Sequence, residues 1–433
     1  VSLFLSDKER VNILNLDNKF NLTDSLSVER PDKKFETIVG FTKQENSKQL
    51  FWSKSNEKEI LRQDIDLLNK TQKINSYSFD PKTEKKVLEI SENNYFYYVT
   101  IPVNSNILKF YIIDNTGSLS TQELDLSGIS FFDSKYKKAS LYAIFDENLL
   151  PFESRFALQK ISSESPVSLT FASKKRKYYV EKGILNITFD TNFDFTQVLT
   201  INLKTLKFSE KKIKKPYIFS ENTFAINSNS FLYRDYIFQL KLTSDELVLS
   251  MKTLNDSLLK EYRVTKDEEI NFKNSDIIQL GTDMGNETRI LYKTSQYLRK
   301  VNNSNIGVSC YENESEFWLT IGSVSELRNT NTGIYGGLFG VSGVLISYML
   351  TNPIYDNFNS YANRKVVYIN SILDEDGNHL TKSFPKNAFD KIQEYNENFG
   401  GVTSQTIFKI EDKYYFGYYI PSQKNYEIKM FVD

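Results

Sequence analysis

An all-β chain, folded as a β-propeller of antiparallel four-stranded blades with short helical insertions, is predicted by three observations. Strand-like runs of four to eight residues dominate, runs of helical period are nearly absent, and one hairpin pattern returns along the chain. The runs include 36–42 (ETIVGFT), 95–101 (YFYYVTI), 109–114 (KFYIID), 184–189 (ILNITF), 231–242 (FLYRDYIFQLKL) and 366–373 (VVYINSIL). Asn, Asp, Ser, Gly and Lys turns separate them. With 32 Phe and 27 Tyr against 2 Trp and 4 Met, the composition suits pleated, half-buried surfaces.

The recurrence is clearest between 95–114 (YFYYVTIPVNSNILKFYIID) and 414–433 (YYFGYYIPSQKNYEIKMFVD). Each has an aromatic strand, an Ile-Pro turn at Pro102 or Pro421, then an apolar strand ending in Asp114 or Asp433. The two aspartates are expected at equivalent hairpin ends. Looser versions lie at 178–190, 231–240 and 248–259. The units are irregularly spaced, about fifty to sixty residues apart, and seven blades of about sixty residues divide the 433 best, with six or eight open. Strand-like residues at both ends predict ring closure by one blade that borrows strands from each terminus. No linker-like stretch interrupts the chain, so residues 1–433 are expected to form one propeller domain. Helices are expected at 152–161, after Pro151, and at 387–399, where Phe389, Ile392, Tyr395 and Phe399 recur at helical steps before Gly400 and Gly401.

A net charge of −1, from 54 basic and 55 acidic residues, excludes a broad nucleic-acid footprint. Basic clusters at 174–177 and 211–215 are expected as solvated hairpin turns. The lone Cys310 excludes an internal disulfide and is expected to pack as a small hydrophobe. Val1 at the start predicts an exported chain that has lost a signal peptide, or a trimmed one.

Chemistry is sparse. His379 is the single histidine, which rules out a histidine cluster for zinc, and its Asp-Gly neighbourhood predicts an exposed turn. Asp374, Asp376 and Asn378 resemble a calcium loop without the later glutamate, so no metal and no cofactor is expected. Trp52 and Trp318 could stack on sugars, but their strand-like context predicts core packing. A glycosidase needs two converging carboxylates, and none of the 55 acids is marked out for such a pair.

Residues 329–355 carry no charge and include Gly333, Gly336, Gly337, Gly340 and Gly343. Three readings stay open: inner strands of the last blade, a short membrane-spanning helix, or an apolar insertion that docks into a partner. The partner-binding candidates in the last case are Ile334, Gly337, Leu338, Phe339, Gly340, Val341, Leu345, Ile346 and Met349.

Through the hairpins YFYYVTIP…YIID and YYFGYYIP…MFVD, the chain resembles bacterial envelope β-propellers. Among these it looks most like the plug subunits of type 9 secretion outer-membrane translocons. The resemblance implies a non-enzymatic periplasmic protein, associated with the outer membrane, that docks on a large envelope complex and closes its export pore. Neither a nucleic-acid partner nor an integral membrane position is expected. The rival expectation is a polysaccharide-acting propeller glycosidase or lyase, or a carbohydrate-binding module.

Overall fold

Alternation along the strands sets the architecture. In Tyr236–Leu242, Phe238 and Leu240 pack to one side while Ile237 packs to the other, so each strand serves two neighbouring sheets. The computed structural model describes residues 1–7, 9–44, 46–54, 58–80, 82–149, 153–219, 226–282, 285–326, 353–360, 364–397 and 401–433.

These residues form seven sheets of three or more strands, joined in chain order. The first is Ser2–Ser6, Arg10–Leu16 and Leu22–Glu29. The second is Thr37–Lys43, Ser47–Ser53, Glu59–Asp66 and Thr71–Ser78. The third is Glu84–Glu92, Tyr95–Pro102, Ile107–Ile113 and Leu119–Asp125. The fourth adds Gln159–Ile161, in parallel, to the meander Arg176–Glu181, Ile184–Phe189, Phe195–Asn202 and Phe208–Lys214. The fifth is Asn227–Tyr233, Tyr236–Leu242, Glu246–Thr253 and Leu258–Thr265. In the sixth the order across the sheet is Asn305–Asn313, Glu316–Glu326, Arg364–Leu373, Ile277–Thr282 and Gly285–Leu291. The seventh is Thr403–Ile410, Lys413–Ile420 and Asn425–Phe431.

The first strand of the fifth sheet is buried, and the last strand of the third is solvated. Asn227–Tyr233 is buried after its first residue, whereas Leu119–Asp125 is exposed apart from Leu124. Polar outer edges of this kind resist pairing with other chains. Each sheet packs face to face on the next. Val11 and Ile13 meet Trp52, Phe51 stacks on Phe96 at 4.1 Å, and Leu108 and Phe110 meet Leu185 and Ile187. Farther on, Tyr179 meets Phe231 at 5.9 Å, Phe238 meets Phe317 at 5.6 Å, and the Tyr311 and Tyr414 hydroxyls lie 3.0 Å apart. Phe20 then contacts Tyr415 at 4.7 Å, which brings the seventh sheet to the first. A succession of antiparallel sheets packed in this way is a β-propeller, as the strand runs predict.

Three expectations are corrected. The terminal strands belong to separate sheets: Ser2–Ser6 pairs with Arg10–Leu16 in the first and Asn425–Phe431 with Lys413–Ile420 in the seventh, and the ends meet through aromatic contacts instead. The helix expected at 152–161 is absent over 153–161. Phe156 adopts a φ of 61° there, and Gln159–Ile161 enters the fourth sheet. A short helix stands earlier, at Leu141–Asp146, capped by Ser140, whose hydroxyl accepts from the Ala143 N–H. Finally, the repeat is real but not in one register. Lys109 faces Thr100, whereas Tyr426, not Ile428, faces Tyr419. The tighter pairing leaves Asp433 beyond the strand end. There its carboxylate accepts from the Tyr311 hydroxyl at 2.7 Å and from the Ala388 N–H at 2.8 Å. Asp114 instead closes its own turn, accepting from the Thr116 and Ser118 N–H groups.

The second expected helix is present as Ala388–Glu397. Asn387 and Asp390 cap it reciprocally, each side chain accepting from the other's backbone N–H at 3.0 Å. Phe389 and Ile392 are buried, and Tyr395 contacts Tyr418 and Phe431 in the seventh sheet.

Candidate functional site

The candidates from Ile334 to Met349 lie outside the described residues. Their frame is described. Glu316–Glu326 and Arg364–Leu373 pair antiparallel out to the Glu326↔Arg364 register, so residues 327–363 connect two strands whose ladder is already closed. On the return, helix Pro353–Asn359 buries Ile354 and Tyr355 against Tyr414, Phe416 and Ile407. The last two residues of the charge-free tract are therefore core. Asn357 fastens this helix to the segment before Leu169–Ala172: its side chain accepts from the Ser168 N–H at 2.8 Å and donates to the Pro166 carbonyl.

An open groove of about 750 Å³ lies between helix Ala388–Glu397 and the face of the sixth sheet. The helix is two-sided by its sequence. Residues 388, 389, 392 and 395 turn an apolar stripe toward the seventh sheet, and Asp390, Gln393, Glu394 and Glu397, at steps of three and four, line the groove. Tyr368, Asn370, Ser275 and Asp276 supply the sheet side, and Phe384 with Lys382 and Lys386 the remaining wall. Desolvation in this recess raises Asp390 above the usual carboxylate range. Burial, with Asp390 adding to it, pushes Tyr368 up to about 12. Sequence reasoning found the helix but not the groove, whose signal was the polar stripe opposite Phe389, Ile392 and Tyr395.

The two basic clusters are not both solvated turns, which corrects that expectation. The Lys177 and Lys215 side chains are fully buried, each 3.0 Å from one oxygen of buried Asp190. Asn229 accepts from Lys177 at 2.8 Å, and the Asn192 carbonyl accepts from Lys215 at 2.7 Å. Partly buried Lys175 donates to the Ser228 carbonyl. Arg176, also buried, is held by Glu153 at 3.0 Å and by the Ile144 and Phe145 carbonyls. Burial lowers Lys175 to about 7, helped by repulsion from Lys215 and Lys177. The same lysines hold Asp190 well below the carboxylate range against its own desolvation. With every one of these groups turned toward a protein partner, the cluster ties the fourth sheet to the fifth. Lys211, Lys212 and Lys214 remain exposed, as expected.

The other sequence candidates are structural. Trp52 and Trp318 are 0% and 6% exposed, and the Trp52 indole donates to Gln63. Cys310 is buried, and desolvation raises its thiol. His379 is half-buried rather than fully exposed: its Nε2 lies 2.9 Å from Asn274 Oδ1 beside a turn closed by Asp374 and Asn378. Among the described residues no group of three carboxylate, histidine or cysteine side chains could hold a metal, and no helix is long and apolar enough to cross a membrane.

No family model matches the chain, and no curated protein matches it. Solved structures align with it at low identity. The propeller domain of the Trilobed protease from Pyrococcus furiosus is 10% identical over 92% of this chain and 93% of that one, with a TM-score of 0.27. The WD40 domain of SCAP from fission yeast is 12% identical over 99% and 86%, with a TM-score of 0.29. Cobalt-substituted Synechocystis apocarotenoid oxygenase is 8% identical over 60% of this chain, with a TM-score of 0.29, and the alignment spans only 57% of that enzyme. The propeller assignment rests on the sheets of this chain, and these likenesses add nothing about activity.

Proposed function

We propose that the protein is a non-catalytic interaction subunit of a bacterial cell-envelope complex, and that it docks on or plugs an outer-membrane protein-export translocon from the periplasmic side. One observation carries the reading. A charge-free, glycine-rich tract joins two strands, Glu316–Glu326 and Arg364–Leu373, that need only a short turn to connect them. An insertion of this composition has a use if its apolar surface is buried against a partner. The envelope and type 9 secretion setting, with a periplasmic position at the outer membrane, is proposed from the resemblance of the aromatic hairpins.

The test is one set of variants. Serine in place of Ile334, Leu338, Phe339 and Leu345 should leave the isolated protein folded and weaken its co-purification with the envelope complex. Each buried large side chain is worth roughly 1.5–3 kcal/mol. Bulky replacements at Gly337 or Gly340 should also block docking, since glycine permits close backbone approach. Thermal melts showing that the serine variants unfold, with no defect specific to the complex, would overturn the proposal.

A further inference from the structure

We propose that the groove between helix Ala388–Glu397 and the sixth sheet binds a cationic peptide segment, an extended stretch with lysine or arginine at alternate positions. Its described lining includes no residue of 327–352, and it stands whether or not that tract docks on a translocon.

Size and shape come first. About 750 Å³ falls within the roughly 300–1,000 Å³ typical of ligand sites. From Asp390 to Glu397 the helix rises about 10 Å, the length of about three extended residues. A strand laid along the stripe would turn alternate side chains toward it.

Charge decides the class of ligand. The lining carries Asp276, Asp390, Glu394 and Glu397 against Lys273, Lys382 and Lys386. Those lysines are already engaged: Lys382 with both oxygens of Glu316, Lys273 with Glu269, and Lys386 with Glu394 of the groove itself, a pair that cancels and leaves Asp276, Asp390 and Glu397 to set the charge. Among the described residues no lysine or arginine forms an ion pair with Asp276, Asp390 or Glu397. The groove is therefore acidic in effect, which disfavours nucleic acid and anionic glycans. The carboxylates are also too dispersed to share a metal ion. Dispersed negative charge along a groove matches an extended polycation better than a point charge. Tyr368 and Phe384 add aromatic faces on which a guanidinium or ammonium group can rest.

The probe is a fluorescein-labelled octapeptide of alternating lysine and serine, titrated by anisotropy into the full chain, with its glutamate–serine counterpart as control. Saturable binding of the lysine peptide alone is expected, falling as salt is raised. The double variant D276N/E397Q should weaken it at least about tenfold. Both side chains are exposed, so its melting curve should match the parent. The charge-preserving D276E/E397D should retain binding. Equal binding of the glutamate peptide, unchanged affinity in D276N/E397Q, or no saturable binding of the lysine peptide would overturn the proposal.

Discussion

Lys175 shows how a single side chain can set a pH profile. Its amine is held among Lys177, Lys215 and Asp190, and burial lowers it to about 7 from an ordinary 10.5. Below pH 7 it is protonated both folded and unfolded, so folding carries the full penalty of a buried cation. Between about 7 and 10.5 the unfolded chain holds a proton that the folded chain has released, so stability rises with pH across that window. Each pH unit is worth about 1.4 kcal/mol, which puts the rise on the order of a few kcal/mol. Lys175→Met removes the amine. The variant should be more stable than the parent near pH 7, and the gap should narrow steadily as pH rises from about 7 to 10.5. Denaturant midpoints followed against pH check this, and parallel profiles for the two proteins would contradict it. The cluster was overlooked in the sequence because a run of like charges normally marks a solvated turn. The signal was the strand period: Arg176 and Lys177 continue the alternation of buried Tyr178 and Tyr179.

At the level of elements, helices and hairpins differ in how far local sequence decides them. Helix Ala388–Glu397 was readable because its apolar stripe, its Asn387 cap and its glycine stop all agree. The expectation at 152–161 had only a proline start and a suitable composition. The tertiary role of Glu153, which accepts from the Lys175 N–H and pairs with Arg176, holds that segment in another form. The paired hairpins make a sharper comparison. Their sequences align without a gap, yet the last one pairs two residues tighter. In it the Tyr426 ring tip lies over Gly417, where a Cβ would sit 2.5 Å from the hydroxyl oxygen. The Asp114 carboxylate serves its own turn, while the contact to Arg62 uses the backbone carbonyl that alanine keeps, so Asp114→Ala should cost about 1 kcal/mol without removing any binding activity. A denaturant midpoint beside a binding assay measures both, and lost binding at unchanged stability would count against that role.

Across the whole molecule, the contact that joins the last sheet to the first is aromatic. Phe20 lies 4.7 Å from Tyr415 and 6.2 Å from Phe408, measured between ring centroids, while the terminal strands stay in separate sheets. Contacts of this kind are worth about 0.5–1.5 kcal/mol beyond the area they bury. Phe20→Ala should therefore loosen both ends together. Hydrogen exchange should quicken in Ser2–Ser6 and in Asn425–Phe431 at once, with the third to fifth sheets unchanged. Faster exchange confined to the loop around residue 20 would show that this contact does not couple the termini.

The amino-acid sequence by itself determined the all-β class, the recurring hairpins, the two-sided helix and the core positions of Trp52, Trp318 and Cys310. These follow from local periodicity and from the burial preferences of single residues. It also marked the charge-free tract as something that needs a partner surface or a core. Tertiary structure alone decided which strands share a sheet, such as Ile277–Thr282 beside Arg364–Leu373. It alone brought Lys177 and Lys215 onto Asp190, and set a helix stripe against Tyr368 to make an acidic groove. Those outcomes depend on residues distant in sequence, whose meeting is set by packing between sheets and leaves no periodic trace in either segment.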